Sequence, residues 1–271
     1  MPDISSIAVR TVRVSDIEIA YRTLGQGRPL LLIMGSSSTM DLWPPAVLSK
    51  LSAGHQVIIF DNRGMGRTTA PPGAFTIQQF ADDTAGLMDA LQIKSAGVLG
   101  WSMGSFVAQE LALSHPDRVD HLVLYAAHCG GSQAVPPTAE VLKDLTDTSG
   151  TPQQRGTRLF NLLFPVDWLK RHPDFYKQFP TPKETSSPEN IGRQAGACGS
   201  WAGTYDRLPN VSQPTLVITG TEDKIAPVDN ALILAQRIPD SWLVRLRDAG
   251  HGLMYQRPDE FSRVVLDFFD L

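Results

Sequence analysis

The chain has 271 residues, 42% of them hydrophobic and 19% charged, with 28 acidic side chains against 24 basic ones. That is enough apolar chain for one large domain. A formal net charge of -4 with no block of basic residues gives no electrostatic reason to bind nucleic acid or an anionic membrane surface.

The N-terminal stretch MPDISSIAVRTVRVSDIEI has no basic head followed by an apolar run, so it does not read as a signal peptide. No segment offers the roughly 18 uninterrupted apolar residues of a membrane span, and a soluble cytoplasmic protein is expected. Residues 9–23 are rich in β-branched side chains around Ser15-Asp16, which predicts an opening hairpin. LLLIM at 30–34 and VIIF at 57–60 are continuous apolar runs, the pattern of strands buried on both faces. Between them lie a Gly/Ser loop and a short helical stretch after Pro44-Pro45. Residues 75–93 carry Phe80, Leu87 and Leu91 at helical spacing. A strand at 95–100, a helix at 105–115 ended by Pro116, and a strand at 121–127 follow. Such alternation implies right-handed crossovers and a parallel sheet.

From about residue 130 the pattern changes to many prolines, no convincing strand and short helical pieces with large apolar residues. Residues 132–205 are therefore expected to form a helical cap packed at the edge of the sheet, inserted into a core made of 1–131 and 206–271. The sheet pattern returns with a strand at 215–220, a helix at 230–238, a strand at 241–247 and a closing helix at 259–271 near Pro258.

Gly100-Trp101-Ser102-Met103-Gly104 is a G-x-S-x-G motif placed between a predicted strand and a predicted helix, as a nucleophile elbow requires. Ser102 must sit in a sharp strained turn, and the flanking glycines remove side chains that would crowd it. The following helix aims its free N–H groups at developing negative charge. A serine hydroxyl needs a base, and the base an orienting acid. Of the six histidines, only His251 follows the last strand, between Gly250 and Gly252. His55 reads as a surface turn before a strand, His115 as a helix end, His121 as a strand start and His172 as part of the insertion. His128 follows a buried strand and is a candidate for the pocket. The acid is expected after strand 215–220, where Asp223 is favoured over its neighbour Glu222. Asp248 is read as a residue that stabilises the histidine loop.

Together with LLIMGSSS, FDNRGMGRT, TLVITGTEDKIAP and DAGHGLMYQRPDEF, these segments resemble the α/β-hydrolase superfamily over nearly the whole chain. The closest likeness is to its small esterase, lactonase and cofactor-free perhydrolase or haloperoxidase branch. The resemblance implies an α/β fold: a mostly parallel, eight-stranded-type sheet flanked by helices, with a helical cap. It implies a Ser102–His251–Asp223 triad acting on a small-molecule substrate. It also implies an oxyanion hole from the N–H groups of Ser36 and Met103, with Met34 where the family usually has histidine. Arg63 is expected to tie loops together. Trp101, His128, Phe164, Trp168 and Trp201 are candidate pocket residues. Gly64-Met65-Gly66-Arg67 has no third glycine of a dinucleotide loop, and no metal-ligand spacing occurs, so no cofactor is expected. Cys129 and Cys198 fit a reducing compartment, a single bridge between them being the alternative. Oligomeric state leaves no signal in the sequence. A carboxylic ester is the expected substrate; a lactone, a C–C bond or peracid formation would use the same triad, and a non-catalytic sensor the same fold.

Overall fold

The computed structural model describes residues 7–270. The first six residues of the stretch read as lacking a signal peptide lie outside the described residues, as does Leu271, the last residue of the helix expected at 259–271. The opening hairpin is β1 (Arg10–Val14) and β2 (Ile17–Leu24), turning through Ser15 at a φ of 50°. β3 (Arg28–Ile33), the helix α1 (Pro45–Leu51) and β4 (His55–Phe60) follow, then α2 (Ile77–Ala90), β5 (Ala96–Trp101), α3 (Met103–Ser114) and β6 (Val119–Tyr125). Thr76 caps α2 by accepting from the N–H of Gln79, and Pro45 opens α1 at a position where no N–H is needed.

No strand lies between β6 and the next sheet element among the described residues. That stretch instead holds α4 (Ala139–Thr146), α5 (Pro152–Leu163), α6 (Val166–Arg171) and α7 (Pro188–Ser200). Thr151 and Gln154 close a capping box at the start of α5. β7 (Thr215–Gly220), α8 (Asp229–Arg237), β8 (Ser241–Leu246), α9 (Leu253–Gln256) and α10 (Pro258–Phe269) complete the chain. The short α9, directly after His251, carries too few residues to leave a helical period in the sequence.

The eight strands run in the order β1-β2-β4-β3-β5-β6-β7-β8. β1 and β2 are antiparallel to their neighbours, and all pairings from β4 to β8 are parallel. The continuous apolar runs are explained by the pleat. Leu31, Ile33, Ile58, Val98, Leu124 and Val217 enter one core, under α2 and α3. Leu30, Leu32, Ile59, Leu99, Val123 and Ile218 enter the other, under α1 and α10. With helices on both faces, neither set of alternating side chains meets water.

One expectation changes at this level. His55 is not in a surface turn: it is the first residue of β4, 7% exposed, with its ring 5.9 Å from that of Phe269. The closing helix packs back over the start of β4 and covers it. Cys129 and Cys198 are both free thiols, and burial pushes both pKa values up, that of Cys198 to about 12. Arg63 does tie loops together: it pairs with Asp83 of α2 and with Asp16 of the hairpin turn.

Candidate active site

Ser102 stands between β5 and α3 with φ 56° and ψ -122°, a conformation that strains any residue with a Cβ. The strain is held by its surroundings. Its N–H donates to the carbonyl of Tyr125 on the adjacent strand at 2.9 Å. Its carbonyl accepts from the N–H and the hydroxyl of Ser105, at 2.8 and 2.6 Å. A Cβ on Gly100 would overlap the carbonyl of Gly104, and one on Gly104 the carbonyl of Ile33. The motif therefore needs both glycines because the turn and the end of β3 meet there backbone to backbone. Met103 is the first residue of α3, so its N–H has no acceptor within the helix.

The loop after β7 brings Asp223 to His251. The two carboxylate oxygens lie 3.0 and 2.9 Å from Nδ1 of the ring. One of them also accepts from the N–H groups of Ile225 and Ala226, at 2.9 and 2.8 Å, which fixes the carboxylate independently of the histidine. A neutral His251 thus carries its proton on Nδ1 and presents the Nε2 lone pair. Asp223 is 6% exposed, while Glu222 is exposed and turns only its N–H inward, to the carbonyl of Ala249. Asp248, at a φ of 57°, donates its N–H to Thr221, joining the histidine loop to the acid loop. The carbonyl of His251 accepts from the Tyr125 hydroxyl at 2.6 Å and from the Trp101 indole N–H at 3.2 Å.

The loop after β3 lies against the elbow. Gly35 is so close that a Cβ there would sit 3.2 Å from the Cβ of Ser102. Met34 is fully buried, and its carbonyl accepts from Asn62 Nδ2 at 3.1 Å. Ser37 has a φ of 60°, and its N–H donates to Gln194 of α7 at 2.5 Å. The residues of the expected oxyanion hole, Ser36 and Met103, therefore belong to two segments that both touch Ser102.

The candidate pocket residues divide into two groups. Trp101, Phe164 and Trp168 share an aromatic cluster with Tyr125 and Tyr255; the Trp101 ring is 5.8 Å from His251, and Phe164 is 5.3 Å from Trp168. Phe164 is 1% exposed, and Gly252 donates to the carbonyl of Leu163 beside it, so this end of the inserted segment is packed onto the histidine loop. His128 and Trp201 stand with Phe106 instead, at ring distances of 4.3 Å (Phe106 to His128) and 4.6 Å (Phe106 to Trp201). His128 Nδ1 accepts from the N–H of Gly130 at 3.0 Å, so its proton is on Nε2. Burial, then the nearby His251, lowers its pKa to about 4.

Sequence reasoning missed three residues that organise this region. Tyr125 sat inside an apolar run, where a hydroxyl at a strand end was the available signal. Asn62 lay within the recognised FDNRGMGRT segment without being singled out. Gln194 belongs to no motif, because its role depends on how the inserted helix docks.

Comparisons with known proteins bear on the fold and the family. A family model for the alpha/beta hydrolase fold matches residues 28–258. A Mycobacterium tuberculosis protein named as a non-heme bromoperoxidase is 30% identical, over 93% of this chain and 98% of its own length. A 3-oxoadipate enol-lactonase of Acinetobacter baylyi is 29% identical over 94% of each chain. Among solved structures, a thermophilic esterase from Thermogutta terrifontis is similar with a TM-score of 0.82 and 26% identity, covering 97% of this chain and 98% of that one.

Proposed function

This chain belongs to the alpha/beta hydrolase family, and we propose that it hydrolyses a small carboxylic ester through an acyl-enzyme, with Ser102, His251 and Asp223 as the triad. The observation that carries this reading is the doubly supported Asp223 carboxylate on Nδ1 of His251, in the loops that flank the strained serine. His251 Nε2 takes the proton of Ser102 as its oxygen attacks the carbonyl carbon. The N–H groups of Ser36 and Met103 hold the oxyanion. The C–O bond to the alcohol then breaks, and the alcohol leaves with the proton from His251. Water, deprotonated by His251, attacks the acyl-serine, and the acid departs as Ser102 regains its proton. Residues 132–205 act as the cap: Leu163 and Phe164 press on the histidine loop and Gln194 on the loop after β3.

The test is a chain-length series of p-nitrophenyl esters, with Ser102→Ala run alongside. Turnover by the wild type and none by the variant supports the reading, and the preferred length sizes the acyl pocket. Equal inactivity of both proteins overturns it for esters. A lactone is the second reading, favoured by the likeness to the enol-lactonase. It uses the same steps with the leaving alcohol still tethered to the acyl group, and a lactone-opening assay separates the two.

A further inference from the structure

β6 lies between β5 and β7 in the sheet, so the loop at its carboxyl end stands between the loops that carry Ser102 and Asp223. In an open parallel sheet, ligands bind outside the carboxyl ends of the strands. His128 is on that loop, three residues past Tyr125, the last residue of β6. Gln109 fixes it there: its Nε2 donates to the carbonyls of His128 and Ser105, both at 3.1 Å, and Ser105 in turn holds the carbonyl of Ser102. The His128 ring rests 4.3 Å from that of Phe106, which is one helical turn beyond Ser102 on α3. His251 and Asp223 are both near enough to act on its proton.

The two ring nitrogens have different partners. Nδ1 accepts from the N–H of Gly130, and a backbone N–H can only donate, so the proton is on Nε2. The turn at Gly130 accounts for Nδ1 and leaves Nε2 unexplained. The Nε2–H meets no acceptor among the described residues, and it is not one of the polar atoms sealed from solvent, His128 being half-buried. It is a fixed donor, open to solvent, in the crevice that holds the triad. When a ligand expels water from that crevice, the donor needs an acceptor on the ligand.

Burial and then His251 lower the pKa of His128 to about 4, so the donor is neutral at ordinary pH. The charged or titratable groups that act on the ring are the triad residues His251 and Asp223. Arg207, on the side of Trp201, is taken up by Glu110 at 2.8 and 2.6 Å. A carboxylate beside His128 would thus face Asp223 without a counter-ion, whereas a neutral oxygen needs only the one donor.

We propose that His128 is a specificity-determining residue: its Nε2–H donates to an uncharged oxygen that the substrate carries outside the bond being cut, and a carboxylate in that place is rejected. This rests on Ser102 being the nucleophile and adds the substrate class, esters or lactones with a second, neutral oxygen function. Pairing a polar group discriminates more strongly than filling apolar space, because the analogue without the oxygen leaves the donor unpaired.

The experiment measures binding, so that it does not depend on turnover. The dimethyl esters of succinic, glutaric and adipic acid, their monomethyl half-esters and methyl alkanoates of matching length are titrated calorimetrically at pH 7.5. The proteins are Ser102→Ala and the same protein carrying His128→Phe. In Ser102→Ala, at least one diester is expected to bind about tenfold or more tighter than its alkanoate, and its half-ester no tighter than the alkanoate. His128→Phe brings the ratio of diester to alkanoate to near unity. Any displacement of the loop affects both ligands and cancels in that ratio. His128→Gln keeps an acceptor for Gly130 and a donor beside it, and is expected to retain part of the preference. If the phenylalanine variant folds poorly, ¹⁵N-histidine spectra of Ser102→Ala serve: the His128 Nε2 resonance should shift with the diester and stay with the alkanoate. Equal binding of diesters and alkanoates, a preference that survives His128→Phe, or an unmoved Nε2 resonance overturns the proposal. So does failure of every ligand to bind. A preference that depends on His128, in a protein that turns over no ester, keeps the contact and overturns the esterase reading alone. Ester turnover without that preference overturns only the role of His128.

Discussion

The hydroxyl of Tyr125 donates to the main-chain carbonyl of His251 at 2.6 Å, while the carbonyl of the same tyrosine accepts from the N–H of Ser102 at 2.9 Å. One strand-end residue thus sets the spacing between the strained serine and the histidine loop. The hydroxyl is fully buried, also accepts from the N–H of Met254, and burial pushes its pKa well up, so it remains a donor at every ordinary pH. Tyr125→Phe leaves the N–H of Met254 unpaired and is expected to cost about 1–3 kcal/mol of stability. Because the Trp101 indole shares the His251 carbonyl, the histidine loop is partly held and ester turnover should fall several-fold rather than vanish. Urea unfolding alongside p-nitrophenyl ester kinetics checks this; an unchanged unfolding midpoint would show that the hydroxyl holds nothing.

The fold and the catalytic candidates were legible because each rests on a local pattern. Strands such as 30–34 and 57–60 read as apolar runs since both faces are covered. The elbow reads as two glycines at fixed offsets because the backbone contacts at Gly100 and Gly104 allow nothing else. The choice of Asp223 over Glu222 followed from loop position, and the structure puts Asp223 on the ring. Tyr125 and Gln194 left no such trace. Each acts across more than 100 positions of chain, on His251 and on Ser37 respectively, through a single polar atom whose partner is set by packing. His55 was misplaced for the same reason: its burial comes from Phe269, at the far end of the chain.

The acid assignment is open to a direct contrast. Asp223→Asn keeps the volume but removes the acceptor that holds the proton on Nδ1, and the expected loss in kcat is about 10⁴-fold. Glu222→Gln changes an exposed side chain and should leave kcat within about twofold. A larger effect at Glu222 than at Asp223, measured on one ester at one pH, would reverse the assignment.

Arg63 gives a stability contrast between a buried and an exposed pair. Its guanidinium is bidentate to Asp83, at 2.7 and 2.6 Å, and also reaches Asp16 at 2.8 Å. The Arg63 and Asp83 side chains are 3% and 7% exposed, whereas Asp16 is 49% exposed. Arg63→Ala strands the buried carboxylate of Asp83 and is expected to destabilise by about 3–5 kcal/mol. Asp16→Asn loses only a solvated partner and should cost less than about 1 kcal/mol. Chemical denaturation of the two variants under one condition ranks them, and equal losses would contradict the burial argument.

His128 makes the stability of the protein pH-dependent in a predictable sense. Burial first, and the neighbouring His251 second, lower its pKa in the folded state from 6.5 to about 4. Between those values the unfolded chain binds a proton at this position and the folded one does not, so stability is complete above pH 6.5 and falls as pH drops toward 4. At pH 4.5 the loss from this one group amounts to about 2–3 kcal/mol. His128→Gln retains an acceptor for the N–H of Gly130 but does not titrate. Unfolding free energies from urea titrations at pH 7.5 and 4.5 should therefore drop less in the variant, by that amount, while buried carboxylates such as Asp61 and Asp83 contribute equally to both proteins and cancel. Parallel pH curves for the two proteins would mean that His128 accepts a proton in the folded state, and Nδ1 would then not be held as the acceptor of Gly130.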